Sequence, residues 1–159
     1  MIKNRKRLFT KLKIYEKDPK MAEPLNNLKI LIVEDQHDAR ALLRNMLAEL
    51  GVTQIFESGD GREALQFMDS ASDFVNLIIC DWNMPGLSGV EFLRQLRSTG
   101  ADMPFLMVTG RSDMNSVVEA KVAGVTGYIR KPFSPKQLEA KLRIIIKKHL
   151  RQGALNLIY

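Results

Sequence analysis

Cysteine is almost absent from this chain of 159 residues, and the single one, Cys80, lies inside an apolar run. An intramolecular disulfide is therefore excluded, and a thiol kept away from solvent is typical of proteins in a reducing compartment. The sequence also lacks an apolar stretch long enough for a signal peptide or a membrane span. From these absences we expect a cytoplasmic protein with no membrane span.

Basic charge is confined to one end of the chain. Residues 1–20 contain eight Lys or Arg and two Asp or Glu, which accounts for the whole net charge of +6, and the other 139 residues carry 16 groups of each sign. The domain therefore lacks the basic face of a nucleic-acid-binding protein, and we expect no nucleic-acid partner. We interpret residues 1–27 as a basic, disordered arm. The alternative is a short amphipathic surface for an acidic membrane or partner, formed by Leu8, Phe9, Leu12 and Tyr15.

Glycine-rich nucleotide motifs are missing too. Neither G-x-G-x-x-G nor G-x-x-x-x-G-K-[ST] follows the first apolar run, which argues against dinucleotide-binding and P-loop folds. His37 and His149 have no partners at metal-ligand spacing. A zinc or nucleotide site is therefore not predicted.

Five apolar runs of strand length alternate with helix-length segments, at residues 28–33, 52–56, 74–80, 104–108 and 125–129. Runs such as LKILIV are apolar without alternation, which is typical of strands covered on both faces of a parallel sheet. The pattern predicts an α/β fold with five strands and five helices in a three-layer sandwich. The length allows one domain, which we place at residues 28–151, followed by a short tail at 152–159.

Local signals mark both ends of the predicted helices. Three pairs have capping-box spacing, Asp60 with Glu63, Ser88 with Glu91, and Ser134 with Gln137, and Pro135 stands at a first helical position. Glycines are expected to end the first, third, fourth and fifth helices, at Gly51, Gly100, Gly124 and Gly153.

Polar residues stand at the ends of four of the five apolar runs. In an open parallel sheet the carboxyl ends of the strands form one ligand-binding edge. The residues expected there are Glu34, Asp35, Asp81, Thr109, Gly110 and Lys131. The edge thus combines three carboxylates, one hydroxyl and one ammonium group.

Three carboxylates placed together repel one another unless a cation compensates them. All-oxygen ligands favour Mg²⁺, Ca²⁺ or Mn²⁺, and a site with few protein carboxylates leaves positions for water and a phosphate oxygen, which is typical of Mg²⁺. Lys131 and Thr109 would contact the anion that arrives. We interpret that anion as a phosphoryl group on Asp81, since an aspartate can accept one covalently.

Four segments stand at these strand ends: VED at 33–35, DWNMPGLSG at 81–89, VTG at 108–110 and YIRKPF at 128–133. Together they resemble the receiver domain of two-component response regulators, and DWNMP is most similar to the single-domain chemotaxis regulators. The resemblance implies a flavodoxin-like, doubly wound sheet of order 2-1-3-4-5 and a cis bond before Pro132.

The resemblance also implies roles for individual residues. Asp81 is the expected phosphoacceptor. Glu34, Asp35 and Asp81, with the backbone carbonyl of Asn83, are the expected ligands of Mg²⁺, with Mn²⁺ as an alternative. Thr109, Lys131 and the backbone of Gly110 are expected to contact the phosphoryl group, and Tyr128 matches an aromatic switch residue.

The implied function is that of a phosphorylation-controlled switch, not of an enzyme. A sensor histidine kinase would phosphorylate Asp81, and the surface of the fourth helix, fifth strand and fifth helix would change shape. Since only GALNLIY follows Gln152, we expect the signal to leave through protein contacts. We also expect a monomer. The target would be a flagellar motor component or a downstream phosphotransfer protein, as in a phosphorelay.

Two positions depart from the family pattern. Glu34 stands where aspartate is more frequent, and Arg111 could pair with the phosphoryl group or with carboxylates of a partner.

Two other classes of protein are alternatives to a phosphorylated receiver. An aspartate-nucleophile phosphatase of the haloacid dehalogenase type would need a carboxylate at position 83, where the chain has asparagine. A scaffold receiver without phosphorylation predicts loss of Asp81 or Lys131, and both are present.

Overall fold

The computed structural model describes residues 25–111 and 113–156, in which five strands and five α-helices alternate. The strands are β1 (Lys29–Val33), β2 (Gln54–Ser58), β3 (Leu77–Asp81), β4 (Phe105–Thr109) and β5 (Gly127–Arg130). The helices are α1 (His37–Glu49), α2 (Gly61–Ala71), α3 (Gly89–Ser98), α4 (Met114–Ala123) and α5 (Pro135–Asn156). Short 3-10 helices span Leu25–Asn27 and Ser72–Phe74.

The five strands form one parallel sheet in the order β2-β1-β3-β4-β5, which confirms the predicted topology. The order reverses at β1, because β2 and β3 pair with its opposite sides. Ligands of open α/β sheets bind at such a reversal, beyond the carboxyl ends of the strands. A ligand site is therefore expected beyond the carboxyl ends of β1 and β3.

Two hydrophobic clusters cover the two faces of the sheet. Since side chains alternate along a strand, Leu31 and Val33 of β1 face the cluster under α2, α3 and α4, whereas Ile30 and Ile32 face the one under α1 and α5. The strands β3 and β4 are buried along their whole length. This arrangement is the predicted three-layer sandwich.

The predicted helix starts are confirmed at three helices. Ser88 and Glu91 form a reciprocal capping box at α3, and Ser134 and Gln137 exchange the same pair of bonds at α5. At α2 the side chain of Asp60 accepts the N–H of Glu63. These bonds satisfy free N–H groups of the first turns.

The predicted strands are displaced from the observed ones by one to three residues at their beginnings. Val52 and Val75 are buried, but each precedes the strand that it was expected to belong to. Phe74 is 59% exposed and belongs to a 3-10 helix. In sequence, a buried apolar residue just before a strand cannot be distinguished from an apolar residue of the strand itself. Only backbone hydrogen bonding to the neighbouring strand defines where the strand begins.

The domain boundaries after residues 27 and 151 stay predictions. Residues 25–27 form a 3-10 helix that buries Leu25 in the cluster under α1 and α5, and residues 1–24, the rest of the predicted arm, lie outside the described part. Helix α5 does not end at Gly153 but continues to Asn156. Glycine inside a helix costs about 1 kcal/mol relative to alanine and does not by itself end it. Gly51, Gly100 and Gly124 do adopt positive φ angles of 94°, 86° and 97° at helix ends.

No α-helix of the described residues is long and apolar enough to span a bilayer.

Candidate functional site

Three carboxylates meet at the ends of β1 and β3. One oxygen each from Glu34, Asp35 and Asp81 lies within 4.8 Å of the other two. Asp81 is the last residue of β3, and Glu34 and Asp35 directly follow β1. Because β1 and β3 are neighbours in register, with Val33 opposite Cys80, the two strand ends bring these side chains together.

Glu34 is 4% exposed and held from several sides. Its Oε1 accepts the N–H of Gln36 at 3.1 Å, and its own carbonyl accepts Nη1 of Arg40 at 2.8 Å. Burial raises the pKa of Glu34, and the charge of Asp81 adds to that effect, whereas the Gln36 N–H and the charge of Lys131 oppose it. The hydrogen bond from Gln36 therefore orients the Glu34 carboxylate, whereas burial disfavours its negative charge.

Lys131 bridges two of the carboxylates. Its Nζ lies 3.0 Å from Oδ1 of Asp81 and 3.2 Å from Oε2 of Glu34. Burial lowers the pKa of Lys131, but its hydrogen bond to Asp81 and the charges of Asp81 and Glu34 outweigh burial and raise the pKa overall. The ammonium group thus offsets part of the anionic charge, and the bond before Pro132 is cis, as predicted.

A divalent cation fits the remaining donors. Oδ1 of Asp35 is buried and has no hydrogen-bond partner among the described residues. An unpaired buried carboxylate oxygen is costly unless a cation binds it. The donor set is all oxygen, which suits Mg²⁺ or Mn²⁺. The residues present therefore fit a hard divalent ion.

The ends of β4 and β5 contribute hydroxyl groups. Thr109, the last residue of β4, is fully buried, and its Oγ1 accepts the N–H of Arg111 at 2.9 Å. Tyr128 of β5 donates its hydroxyl to the carbonyl of Arg111. Burial raises the pKa of Tyr128 above the ordinary tyrosine value. Gly110 is exposed, and a Cβ on it would meet nothing within 4 Å, so its backbone is open to solvent.

Arg111 also contacts the loop after β3. Its Nη2 donates to Oδ1 of Asn83 at 3.2 Å, and its guanidinium carbon lies 5.3 Å from the centre of the Trp82 ring. The rings of Trp82 and Tyr128 pack edge to face, with their centres 6.5 Å apart. Sequence reasoning placed Arg111 at the rim but did not identify these partners, nor the contacts of Gln36 and Arg40 with Glu34.

The backbone of β3 and the start of α3 are in close contact beneath the site. The N–H of Gly89 donates to the carbonyl of Trp82 at 2.8 Å, and a Cβ on Gly89 would lie 2.2 Å from the carbonyl oxygen of Asp81. No side chain fits in that space. The glycine therefore lets the helix start next to the strand end that carries Asp81.

The sequence profile of the response regulator receiver domain matches residues 30–143. The chain belongs to this family. Chemotaxis protein CheY of Pseudomonas aeruginosa is 37% identical over 123 residues, which cover 76% of this chain and 98% of that protein. Chemotaxis protein CheY-3 of Vibrio cholerae is 38% identical over 124 residues, 77% of this chain and 94% of that protein. The structure of Vibrio cholerae CheY4 is 32% identical and superimposes with a TM-score of 0.69 over 74% of this chain and 98% of that one.

As a receiver domain, the chain is a phosphoacceptor signalling protein of a two-component system. The predicted site residues from all four strand ends lie at one edge of the sheet. Glu34, Asp35 and Asp81 lie close together, and Lys131 contacts Glu34 and Asp81. The side chain of Asn83 bonds to Arg111, and metal binding by the backbone carbonyl of Asn83 stays a prediction.

Proposed function

We propose that Asp81 is the phosphoacceptor of this receiver and that acceptance depends on Mg²⁺. The observation that carries the proposal is the position of Lys131, 3.0 Å from Asp81 within a set of three close carboxylates. A phosphoryl group on Asp81 would occupy the space where the ammonium group now meets the carboxylate. Lys131 then stabilises the charge of the transferring group.

The carboxylates hold the metal and Asp81 carries out the chemistry. Glu34, Asp35 and Asp81, with the carbonyl of Asn83, would hold Mg²⁺, which neutralises phosphoryl oxygens during transfer. One carboxylate oxygen of Asp81 attacks the phosphorus, and the donor's leaving group departs with the electron pair of the broken bond. Gln36 and Arg40 keep Glu34 directed at the site.

The phosphodonor we propose is a sensor histidine kinase. A cavity of about 310 Å³ opens beside Asp81 and Lys131, between α1 and the segment 131–133. It is lined mainly by apolar side chains, and Leu42 at its rim is 57% exposed. An apolar rim next to the acceptor suits docking of a protein donor better than of a small soluble one.

The signal would leave through the surface of α4, β5 and α5. Met114, Val118 and Val122 form an apolar stripe on α4 and are 76%, 49% and 81% exposed. A groove of about 240 Å³ lies between these elements and includes Tyr128, with three lysines at Lys121, Lys141 and Lys148. Apolar and basic groups together suit an acidic amphipathic segment of a partner.

The relatives indicate which partner to test first. Because they are chemotaxis proteins, we propose a flagellar motor component as the target, with a phosphotransfer protein of a phosphorelay as the alternative. An enzymatic phosphatase is not supported, since Asn83 supplies no acid or base two residues after Asp81. A scaffold that is never phosphorylated is not supported either, since Lys131 contacts Asp81.

The test is phosphoryl uptake from acetyl phosphate. With MgCl2, intact mass should rise by one phosphoryl group. Hydroxylamine, which cleaves acyl phosphates at the acyl carbon, should remove that group as phosphate and leave the small mass increase of an aspartyl hydroxamate. EDTA should prevent the phosphoryl uptake. No mass increase in the presence of MgCl2, or a phosphoryl group that hydroxylamine does not remove, would contradict acceptance by an aspartate.

A further inference from the structure

An acidic groove of about 460 Å³ lies at the amino edge of the sheet, opposite to the candidate site, where α2 and α3 end. Asp69, Asp73 and Asp102 line it and are exposed, and none of the described residues that line it is basic. Because both helices end there, the negative ends of their dipoles add to the three carboxylates. The electrostatic potential in the acidic groove is therefore negative.

The three carboxylates are not neutralised by other described residues. The ion pairs of the described part lie on α1 and β2, between α3 and α4, within α5 and at the candidate site, and none of them includes Asp69, Asp73 or Asp102. Arg97, at the end of α3, donates to backbone carbonyls instead. A groove lined by one sign of charge attracts groups of the opposite sign.

Apolar side chains lie beside the carboxylates. Met68 and Leu96 are buried, Leu65 and Met103 are half-buried, and all four line the acidic groove. A small inorganic cation would use the carboxylates alone, whereas a peptide with both basic and apolar side chains contacts both parts of the surface. The acidic groove therefore fits a basic amphipathic segment.

The chain itself carries such a segment. Residues 1–20, here called the basic segment, contain eight Lys or Arg and two Asp or Glu. Its apolar side chains include Leu8, Phe9, Leu12 and Tyr15. The match to the receiver family begins at residue 30, so membership of the family leaves the partner of the basic segment open. The basic segment and the acidic groove are complementary in charge and both contain apolar side chains.

The described chain begins close to the acidic groove. Asn76 accepts the N–H of Lys29 at 2.8 Å and donates to the carbonyl of Asn27 at 3.3 Å, which ties the start of the described chain to the loop after Asp73. Asp73 is three residues before Asn76, and three residues span at most about 11 Å. Residues 21–24 alone can span about 14 Å when extended. The basic segment can therefore reach the groove of its own chain.

We propose that the basic segment binds in the acidic groove of its own chain. Its ammonium and guanidinium groups pair with the three aspartates, and its apolar side chains contact Leu65 and Met103. Phosphorylation of Asp81 is not required, since the groove and the candidate site lie at opposite edges of the sheet. While it is bound, the basic segment is withheld from other anionic partners, such as a membrane surface.

A nitroxide label in the basic segment measures this contact in the full chain. Thr10→Cys supplies the attachment point. Cys80 is buried, and burial raises the pKa of its thiol well above the ordinary cysteine value, so the label reacts at position 10. The backbone amide signals of ¹⁵N-labelled protein are recorded with the nitroxide oxidised and again after its reduction, and the ratio of the two intensities reports which amides lie near the label.

We expect the amides of residues 69–73 and 100–103 to lose more than half of their intensity, and those of residues 34–35 to lose none. NaCl at about 1 M, where the Debye length is about 3 Å, should restore most of the loss. Asp69→Asn combined with Asp73→Asn should reduce the loss at least twofold, because two of the three carboxylates are neutralised.

The matched control combines Asp38→Asn with Glu119→Gln. It removes two negative charges from α1 and α4, away from the acidic groove, and should leave the intensity loss unchanged. A second readout is binding of the unlabelled full chain to phosphatidylglycerol vesicles. The groove variant should bind the vesicles severalfold more tightly than the control, because its basic segment is released while the two proteins have the same net charge.

The proposal fails if the amides at the groove keep their intensity, or if the groove variant and the control lose the same intensity. Equal vesicle binding by these two proteins would also overturn it and would make an anionic membrane the partner of the basic segment. A sample that mixes nitroxide-labelled ¹⁴N protein with unlabelled ¹⁵N protein reports contacts between copies. An intensity loss there as large as in the labelled ¹⁵N protein would assign the contact to a second copy and overturn binding within one chain.

Discussion

The two halves of the site are built from different chemistry. The ends of β1 and β3 carry carboxylates, which crowd together, leave one oxygen of Asp35 unpaired and share the ammonium group of Lys131. The ends of β4 and β5 carry the hydroxyl groups of Thr109 and Tyr128, and both of these bond to the backbone of Arg111. In the function that we propose, the first half binds the cation and accepts the phosphoryl group, and the second half responds to that group.

This difference indicates a division of labour. Substitutions in the carboxylate half should abolish Mg²⁺ binding or phosphoryl acceptance. Substitutions in the hydroxyl half should leave both intact but impair the conformational response to phosphorylation. The following predictions test that separation.

The largest effect is expected at Asp81. Asp81→Asn removes the nucleophilic oxygen and should abolish the hydroxylamine-sensitive mass increase with acetyl phosphate and MgCl2. The fold should persist, because asparagine has nearly the same shape and Lys131 keeps its bond to Glu34. Asp102→Asn, at an exposed position before β4, should be phosphorylated like the wild type. A hydroxylamine-sensitive increase that persists in Asp81→Asn would place the acceptor elsewhere.

The next effect concerns the metal. Asp35→Ala should raise the Mg²⁺ concentration at the midpoint of a Trp82 fluorescence titration by about tenfold or more, because one of three charged ligands is lost. A tenfold change corresponds to about 1.4 kcal/mol. Asp102→Ala should not shift the midpoint. Equal shifts in the two variants would mean that the carboxylates do not form one site.

Thr109→Val tests the hydroxyl half. The midpoint of the Mg²⁺ titration and the mass increase with acetyl phosphate should match those of the wild type. The Trp82 fluorescence change caused by acetyl phosphate should fall severalfold, because valine offers no hydroxyl to the phosphoryl group. Thr126→Val is a matched control: the Oγ1 of Thr126 accepts a backbone N–H from Phe105 at 3.0 Å, near the opposite edge of the sheet. Loss of Mg²⁺ binding in Thr109→Val alone would argue against a division between the halves.

Lys131 lies between the halves, and its replacement should have opposite effects on two measurements. Lys131→Ala should lower the metal-free free energy of unfolding by about 1–2 kcal/mol, between the values for exposed and buried ion pairs. It should also tighten Mg²⁺ binding a few-fold, because the ammonium group no longer competes for Asp81 and Glu34. The response of Trp82 to phosphorylation should weaken.

Denaturant unfolding and the fluorescence titration measure these two quantities. Lys136→Ala, an exposed lysine at the start of α5, should change neither of them. Weaker Mg²⁺ binding in Lys131→Ala would show that the ammonium group does not occupy the cation's position.

The smallest effect is a pH dependence assigned to Glu34. Since burial raises the pKa of Glu34, its protonation should begin to weaken Mg²⁺ binding at a pH above the ordinary glutamate range of about 4.3. Without metal the sign reverses: a folded-state pKa above the unfolded value means that Glu34 adds stability as pH falls through it. Both quantities are measured from about pH 8 to about pH 5.

Glu34→Gln is the control for this pH dependence. Glutamine removes the titrating group, so the variant should show a flatter Mg²⁺ profile and a flatter difference in free energy of unfolding. A profile in Glu34→Gln as steep as in the wild type would assign the titration to another group.

Much of this site could be predicted from the sequence because strand ends are encoded locally. A carboxylate at the end of an apolar run can be read without knowing the fold, and parallel strands bring such ends to one edge. Asp81 and Lys131 are 50 residues apart in the chain, yet the resemblance placed them together and the structure does so at 3.0 Å.

The remainder depends on tertiary contacts that leave no local pattern. Whether Arg111 points at a partner or stacks on Trp82 is decided by the neighbouring strand, 29 residues earlier in the chain. The burial of Leu25 depends on a cluster that includes residues of α1 and α5. The observed strands begin later than the apolar runs for the same reason. Some residues of a run are buried without pairing to a neighbouring strand.

The contact at Gly89 determines where variety can enter this site. The bond from its N–H to the carbonyl of Trp82 closes a ring around residues 83–88. Lengthening or shortening that ring by one residue would move the start of α3 off the strand end, and any side chain at position 89 would collide with the carbonyl of Asp81. For a protein engineer the length of this segment is therefore fixed, whereas position 83 within it and position 111 across from it are exposed and can be varied without rebuilding the fold.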